Sequence, residues 1–528
     1  MWRFKVAAAG LVILGLAGTG HAQTQAGIGD NPTLLPPQVA GIPIPPGQID
    51  MALSALDSLA QRLLDTTQIP GVAIAVVSNG KVAYAKGFGV RKVGAPERVD
   101  ADTVFQIASM SKSLGASVVA HQVGIGRIAW ETPVVQHLPW FSVSDPWIIT
   151  HLTIGDLYAH RSGLPDHAGD ELEDLGYDRR QVLERLRFLP LDPFRSTYAY
   201  TNFGLTAAAE AVAAAAGTDW ATLSEQVLYG PLGMMSTSSR FSDYIARSNR
   251  AFPHVKTGNA YEATFQRQPD AQSPAGGVSS TANDIGRWMI MVLQNGQYEG
   301  QPIVDPAALL PAVTPQIVSA PAYAMDARAS FYGFGFGVST QPSGRTMISH
   351  SGAFALGAAT NYLLIPSAQV GIAVLSNAAP TGAIEALAME FAELVQYGRS
   401  TRDWVATYRA PFEAMMAPTG ELVGKTPPTN PSPAKDLALY TGTYANDYFG
   451  DAVIAKGVGD KLVLRVGPAQ QDFDLTHWDG DQFTFTLRNE NANPGTISKV
   501  EFSGTPQSMT RMTVEYFNSH GLGVFSRR

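Results

Sequence analysis

Strand-forming residues gather at two widely separated places in this chain, and the stretch between them has helical character. Residues 71–78 and 81–90 are β-rich runs joined by Asn79-Gly80, a dipeptide suited to a tight hairpin. Ahead of them, Leu53, Leu56, Leu59, Leu63 and Leu64 recur at helical spacing through 51–64. From about 110 to 300 the chain reads as helices and long loops, with an alanine-rich helix at 206–216 and an amphipathic one at 283–295. Strand character returns at 331–340, 346–349, 357–365 and 370–376, and a final helix is expected at 382–397. A sheet therefore opens early, is interrupted, and is completed late. That is an α/β class: an antiparallel sheet flanked by helices, with an all-α domain inserted into it.

The flanking segments differ in character. Trp2-Arg3-Phe4-Lys5, an apolar run from Val6 to Leu16, and Gly20-His21-Ala22 before Gln23 read as a secretory signal peptide over 1–22. The run is shorter than the roughly 20 apolar residues a membrane span needs, so cleavage and export to the periplasm or medium are expected, with no stable membrane insertion afterwards. Residues 23–48, rich in Pro, Gly and Gln, form a tether, and the main folded unit spans 49–417. A Pro/Thr/Gly/Lys-rich linker at 418–434 leads to 435–528, where short alternating runs such as 451–454, 462–465 and 483–486 predict an all-β barrel-like or sandwich domain.

Composition removes several function classes. The net charge is −8, and a leader carrying Arg3 and Lys5 without an acid makes the remainder more negative. With no Lys/Arg stripe, a nucleic-acid partner is not expected. There are no cysteines, which excludes disulfides, cysteine nucleophiles and Cys-based zinc or iron–sulfur sites. The ten histidines include no His-Glu-x-x-His, and His160 and His167 read as loop residues. No metal or cofactor is called for, and the expected partner is a small-molecule or peptide substrate. Gly-x-Ser-x-Gly is absent as well, against an α/β-hydrolase elbow.

Three segments carry possible chemistry. In Ser109-Met110-Ser111-Lys112 a helix starting near Ser109 puts residue i+3 on the same face, so the amine can lie beside the hydroxyl. The helix N-terminus offers N–H groups to a developing oxyanion. Lysine acts as a base only if burial or nearby positive charge depresses its pKa, and the apolar flanks Phe105, Ile107 and 114–119 suit that. A capped helix with an exposed lysine is the plainer alternative. In Tyr200-Thr201-Asn202 the phenol can relay a proton and the carboxamide can hold a substrate amide or orient the lysine; a core tyrosine and a capping asparagine would look the same. In His350-Ser351-Gly352, at an expected strand edge, a cationic or hydrogen-bonding side chain can face the substrate. Gly352 admits close backbone approach there, and the next N–H can help bind an oxyanion.

In this order the three resemble the signature of the penicillin-recognising serine hydrolases, which include class C β-lactamases, D,D-peptidases and related esterases: Ser-x-x-Lys, Tyr-x-Asn, then Lys-Thr-Gly or His-x-Gly. His160-Arg161-Ser162-Gly163-Leu164-Pro165 and the Gly276-Gly277 turn are similar to secondary patches of that family, and the resemblance covers about residues 50–400. Tyr440-Thr441-Gly442-Thr443-Tyr444 is similar to an appended lipocalin-like β domain, a cap or a roof over the cleft. The resemblance implies a two-step acyl transfer on Ser109, with Lys112 and Tyr200 sharing the proton work. Asn202, His350 and Gly352 would position substrate, and the N–H groups of Ser109 and Ala353 would hold the oxyanion. Because His350 stands where class C enzymes have lysine, the resemblance points away from a β-lactam; the expected export and the family's hydrolases of D-residue and unusual bacterial peptides imply amide hydrolysis in small linear or D-residue-containing peptides. The alternatives are a short-chain carboxylesterase, then a β-lactamase or D,D-carboxypeptidase, then a silent peptide- or peptidoglycan-binding protein.

Overall fold

The computed structural model describes residues 42–459 and 461–528. The expected leader, and the tether up to residue 41, lie outside them. The chain enters through helix α1 (Gln48–Thr67) and the hairpin β1 (Gly71–Ser78) and β2 (Lys81–Gly89). Asn79 and Gly80 both adopt positive φ, 49° and 73°, the pair of left-handed residues that a two-residue turn matching strand twist requires. Strands β3 (Ile317–Ala320), β4 (Ser330–Tyr332), β5 (Gly337–Thr340), β6 (Thr346–Phe354), β7 (Ala358–Ile365) and β8 (Val370–Ser376) complete the sheet. The order is β2-β1-β8-β7-β6-β5-β4-β3, antiparallel throughout.

Strand β1 shows why the sheet needs helices on both faces. Val72, Ile74 and Val76 join the core formed with α1, while Ala73, Ala75 and Val77 face the other core, on the side of the inserted helices. A side-chain period of two, apolar at every position, fits only a strand covered twice. The insertion supplies helices α2 (Ser111–Gly124), α3 (Asn202–Ala216) and α4 (Ala282–Leu293). Helix α5 (Ala383–Tyr397) closes the outer face with α1.

Two sequence expectations are corrected. The expected final helix at 382–397 is followed by another, α6 (Trp404–Met415), which contains Pro411; its half-exposed packing left only a weak apolar period. The strand expected at 346–349 runs on to Phe354, because β7 pairs with it residue for residue as far as Phe354↔Ala358. His350-Ser351-Gly352 therefore lies inside a paired strand rather than at a strand end.

Beyond α6 the chain passes along the barrel, where Thr496 Oγ1 accepts the Thr419 N–H at 3.1 Å. It then forms a closed eight-stranded antiparallel barrel: β9 (Gly442–Ala445), β10 (Ala452–Lys456), β11 (Leu462–Val466), β12 (Gln471–Asp479), β13 (Gln482–Thr486), β14 (Ile497–Thr505), β15 (Ser508–Val514) and β16 (Val524–Arg527). Pairing of Tyr444 with Arg527 closes it. Aromatic side chains fill its interior, with Tyr440 5.1 Å from Phe483 and 5.0 Å from Phe502 between ring centroids, as in other small barrels whose lumen is packed. Its apolar core is continuous with that of the inserted helices.

Candidate active site

Ser109 sits on a single 3-10 turn (Ala108–Met110) that runs directly into α2. The turn is forced into shape from three sides. Ala108, fully buried, takes a φ of 46°, a region that costs an L-residue energy and persists only where surroundings impose it. Thr360 on β7 donates to the Ile107 carbonyl at 2.7 Å. Ser111 donates to the Ala108 carbonyl at 2.6 Å and accepts the Val278 N–H at 3.0 Å. Ser109 itself remains partly exposed.

Lys112 follows one turn later and is wholly buried. Its ammonium nitrogen lies 3.0 Å from Ser109 Oγ, 2.7 Å from Asn202 Oδ1 and 2.9 Å from the Ala275 carbonyl. Three donors thus meet three acceptors. Burial pulls its pKa down to about 7, against the opposing pull of the Asp170 carboxylate. The capped-helix alternative with an exposed lysine does not describe this side chain. Its amine also lies 4.5 Å from the centroid of the Tyr200 ring.

Tyr200 is half-buried, and burial raises its pKa well above 10 despite a hydrogen bond with Ser109. The following helix, α3, begins directly after Thr201, so Asn202 is its first residue rather than its cap and points back at the lysine. Of the roles open to Asn202 from the sequence, the geometry gives it the lysine: Oδ1 accepts from Lys112 while Nδ2 donates to Asp170 Oδ2 at 2.9 Å.

His350, on β6, is buried, with both ring nitrogens engaged. Nδ1 is 2.6 Å from the Ser351 carbonyl and Nε2 is 2.7 Å from the Tyr332 hydroxyl. A carbonyl can only accept, so Nδ1 carries the proton and Nε2 accepts from Tyr332. Burial, helped by the Lys112 charge, pushes its pKa down to about 3. The imidazole is neutral, and of the two forms open from the sequence the cationic one is set aside.

Gly352 is where β6 meets the nucleophile turn. A Cβ there would stand 2.3 Å from the Ile107 carbonyl oxygen, 2.5 Å from Thr360 Oγ1 and 2.9 Å from the Ser109 nitrogen. Only a residue without a side chain lets this strand pass so close to Ser109, and the next residue, Ala353, pairs with Ala359 on β7. Gly352→Ala is expected to destabilise the fold by about 1–3 kcal/mol and to lower kcat/KM by about 100-fold through displacement of the Ser109 turn. Urea melts and steady-state hydrolysis measure the two effects separately.

The structure also brings in residues for which the sequence suggested no catalytic role. Asp170, almost fully buried, opens a short helix (Asp170–Asp174) and accepts from His167 Nδ1 at 2.9 Å as well as from Asn202. The Asp170 carboxylate raises the His167 pKa to about 9. His160 is also fully buried. Its Nδ1 accepts the Thr201 N–H at 3.1 Å, and its ring lies 4.5 Å from that of Tyr200 and 5.0 Å from that of Tyr332; burial pushes its pKa well down, so it is neutral. Both histidines, read from the sequence as loop residues, support the pocket. The His160-to-Pro165 patch hinted at His160; nothing in the sequence hinted at His167. Among the described residues, no cluster of three or more His, Asp or Glu side chains is placed to hold a metal ion.

Comparison with known proteins agrees with this architecture. The family described as Beta-lactamase matches residues 56–396, and a domain of unknown function (DUF3471) matches 426–521. The chain is similar to the unguisins hydrolase ungD of Aspergillus violaceofuscus (strain CBS 115571), at 24% identity over 496 residues and 84% of each chain. It is similar also to the D-alanyl-D-alanine-carboxypeptidase/endopeptidase AmpH of Escherichia coli (strain K12), at 22% identity over 63% of this chain and 85% of that one. In fold it resembles the octameric penicillin-binding protein homologue of Pyrococcus abyssi, with a TM-score of 0.57 at 18% identity over 90% of this chain and 99% of that one.

Proposed function

Because this chain belongs to the Beta-lactamase family, we propose that it is an exported serine hydrolase that cleaves an amide bond in small linear or D-residue-containing peptides through an acyl-enzyme on Ser109. The observation that carries this reading is the Lys112 amine, buried, 3.0 Å from Ser109 Oγ and with a pKa of about 7. A serine hydroxyl needs a base within hydrogen-bond reach whose pKa is near the working pH, and Lys112 meets both conditions.

In this mechanism Lys112, as free amine, takes the Ser109 proton as Oγ attacks the carbonyl carbon. The oxyanion settles between the N–H groups of Ser109 and Ala353. Asn202 holds the amine in line. Tyr200, its phenol kept protonated by burial, hands a proton to the departing amine and receives its replacement from Lys112. Water then attacks the acyl-enzyme, with the proton passing back along the same path. Between the two groups that the sequence left as candidate bases, the pKa contrast favours Lys112.

Two points favour peptides over β-lactams. The neutral, doubly engaged His350 offers no fixed positive charge to a substrate carboxylate. The second is that a relative, AmpH, is named a carboxypeptidase/endopeptidase. Export rests on the leader-like residues 1–22; among the described residues no helix is long and apolar enough to cross a membrane. A panel of D- and L-aminoacyl anilides, linear peptides, p-nitrophenyl esters and a chromogenic cephalosporin tests the substrate class. Turnover of anilides or peptides with the highest kcat/KM is expected. Turnover confined to the esters would replace this reading by the carboxylesterase one, and a preference for the cephalosporin by the β-lactamase one.

A further inference from the structure

The C-terminal barrel meets the hydrolase part through more than apolar packing. The loop between β13 and β14, residues 487–496, enters a seam beside the pocket. There the Glu490 side chain accepts the N–H of Ala355 at 2.9 Å and of Leu356 at 3.3 Å. These two residues form the turn that leaves β6, two and three positions past Ala353. Phe354, between Ala353 and that turn, packs against Ala108, the strained residue that precedes Ser109.

Arg267 ties the same seam together. Its buried guanidinium lies 2.5 Å from Glu173, 3.8 Å from Glu490 and 5.5 Å from the centre of the Phe354 ring. Its carbonyl accepts the Gln106 side-chain amide at 2.9 Å, three residues before Ser109. The neighbouring barrel residue, Asn491, donates to Asp174 Oδ2 at 2.8 Å and to the Asp170 carbonyl at 3.2 Å, on the helix whose Asp170 steadies Asn202. One barrel loop thus grips both walls of the pocket.

Packing alone does not account for a carboxyl here. Burying a charge is unfavourable even when paired, and a well-fitted apolar residue commonly serves packing as well or better. Burial raises the pKa of Glu490 to about 8, against the pull of Arg267 and the two N–H groups, so whether ionised or protonated this side chain costs the seam more than an apolar one would.

We propose that Glu490 is a positioning residue for acyl transfer: by clamping the Ala355–Leu356 turn it sets the spacing of the Ala353 and Ser109 N–H groups, so the barrel completes the oxyanion pocket. This rests on the Ser109 acyl-enzyme reading above. An error of about 1 Å at the reacting atoms costs on the order of 100-fold in rate, which sets the scale of the test.

The experiment uses the full-length protein with p-nitrophenyl acetate and a fluorophosphonate probe. Glu490→Gln keeps one acceptor and the shape of the side chain; Glu490→Ala keeps neither. We expect kcat to fall about 10-fold in the first and about 100-fold in the second, with KM within about 2-fold of wild type and labelling slowed in parallel. Tyr177→Phe is the control, since it removes another cross-seam hydrogen bond, from the Tyr177 hydroxyl to the Phe449 carbonyl at 2.8 Å, without touching β6. It should lower the melting temperature while leaving kcat unchanged. Wild-type kcat in Glu490→Ala overturns the proposal, as does an equal loss of kcat in Tyr177→Phe. If Glu490→Ala does not fold, Glu490→Gln decides: an unchanged kcat overturns the proposal, and a reduced kcat at constant KM supports it. Failure of the probe to label the wild-type protein would instead sink the Ser109 reading.

Discussion

Replacing Ser109 with alanine is expected to abolish fluorophosphonate labelling and to lower kcat/KM by at least about 10⁴-fold, because loss of the proposed nucleophile removes the covalent route whatever else remains of the site. The fold is expected to survive. The hydroxyl accepts from Lys112, but that amine keeps Asn202 and the Ala275 carbonyl as partners. The shape of the turn is set by Thr360, Ser111 and the close passage of Gly352, none of which involves the Ser109 side chain. Circular dichroism and the melting temperature should therefore match wild type while turnover disappears. Wild-type hydrolysis in this variant would end the assignment.

The second large effect concerns Lys112. Lys112→Met removes the base and is expected to lower kcat by about 10²–10⁴-fold. Lys112→Arg restores charge but no activity, since a guanidinium does not deprotonate in this range. In the wild-type enzyme, kcat/KM should rise with pH through about 7 and then level off, because only the unprotonated amine can accept the serine proton and burial sets its pKa there. Asp170→Asn sharpens the test. The Asp170 charge raises the Lys112 pKa, so its removal moves the rising limb to lower pH. A limb that stayed in place would show that some group other than Lys112 is titrating. Stability carries the same signature. The folded-state pKa lies below the ordinary 10.5, so between about 7 and 10.5 the unfolded chain alone holds the lysine proton. This group's contribution to stability therefore increases as the pH rises across that window.

Much of the site was legible because its parts are short-range. Ser109 and Lys112 are one helical turn apart, so helix geometry brings them onto one face wherever the helix goes. The hairpin at Asn79-Gly80 and the doubly apolar strand β1 are likewise written in local chemistry and a two-residue period. The strand carrying His350 was read too short, because its last residues are held by pairing with β7 rather than by an alternation of their own.

Other features have no local signature. Asp170 stands in a short acidic helix that looks like any solvated turn, and its role arises only when folding sets it 2.9 Å from Asn202. His160, His167 and Tyr332 gain theirs the same way, and Glu490 is separated from the turn it clamps by more than a hundred residues of chain. The sequence by itself determined the covered antiparallel sheet with its helical insertion, and the Ser109-Lys112 pair. Tertiary structure alone decided the state of that pair and of its neighbours: a lysine pKa drawn down to about 7, a neutral His350 and a barrel loop bonded to the turn that leaves β6. The reason is physical: residue spacing sets which side chains share a face, but desolvation and hydrogen-bond partners, which fix charge and position, exist only once distant segments have closed around them.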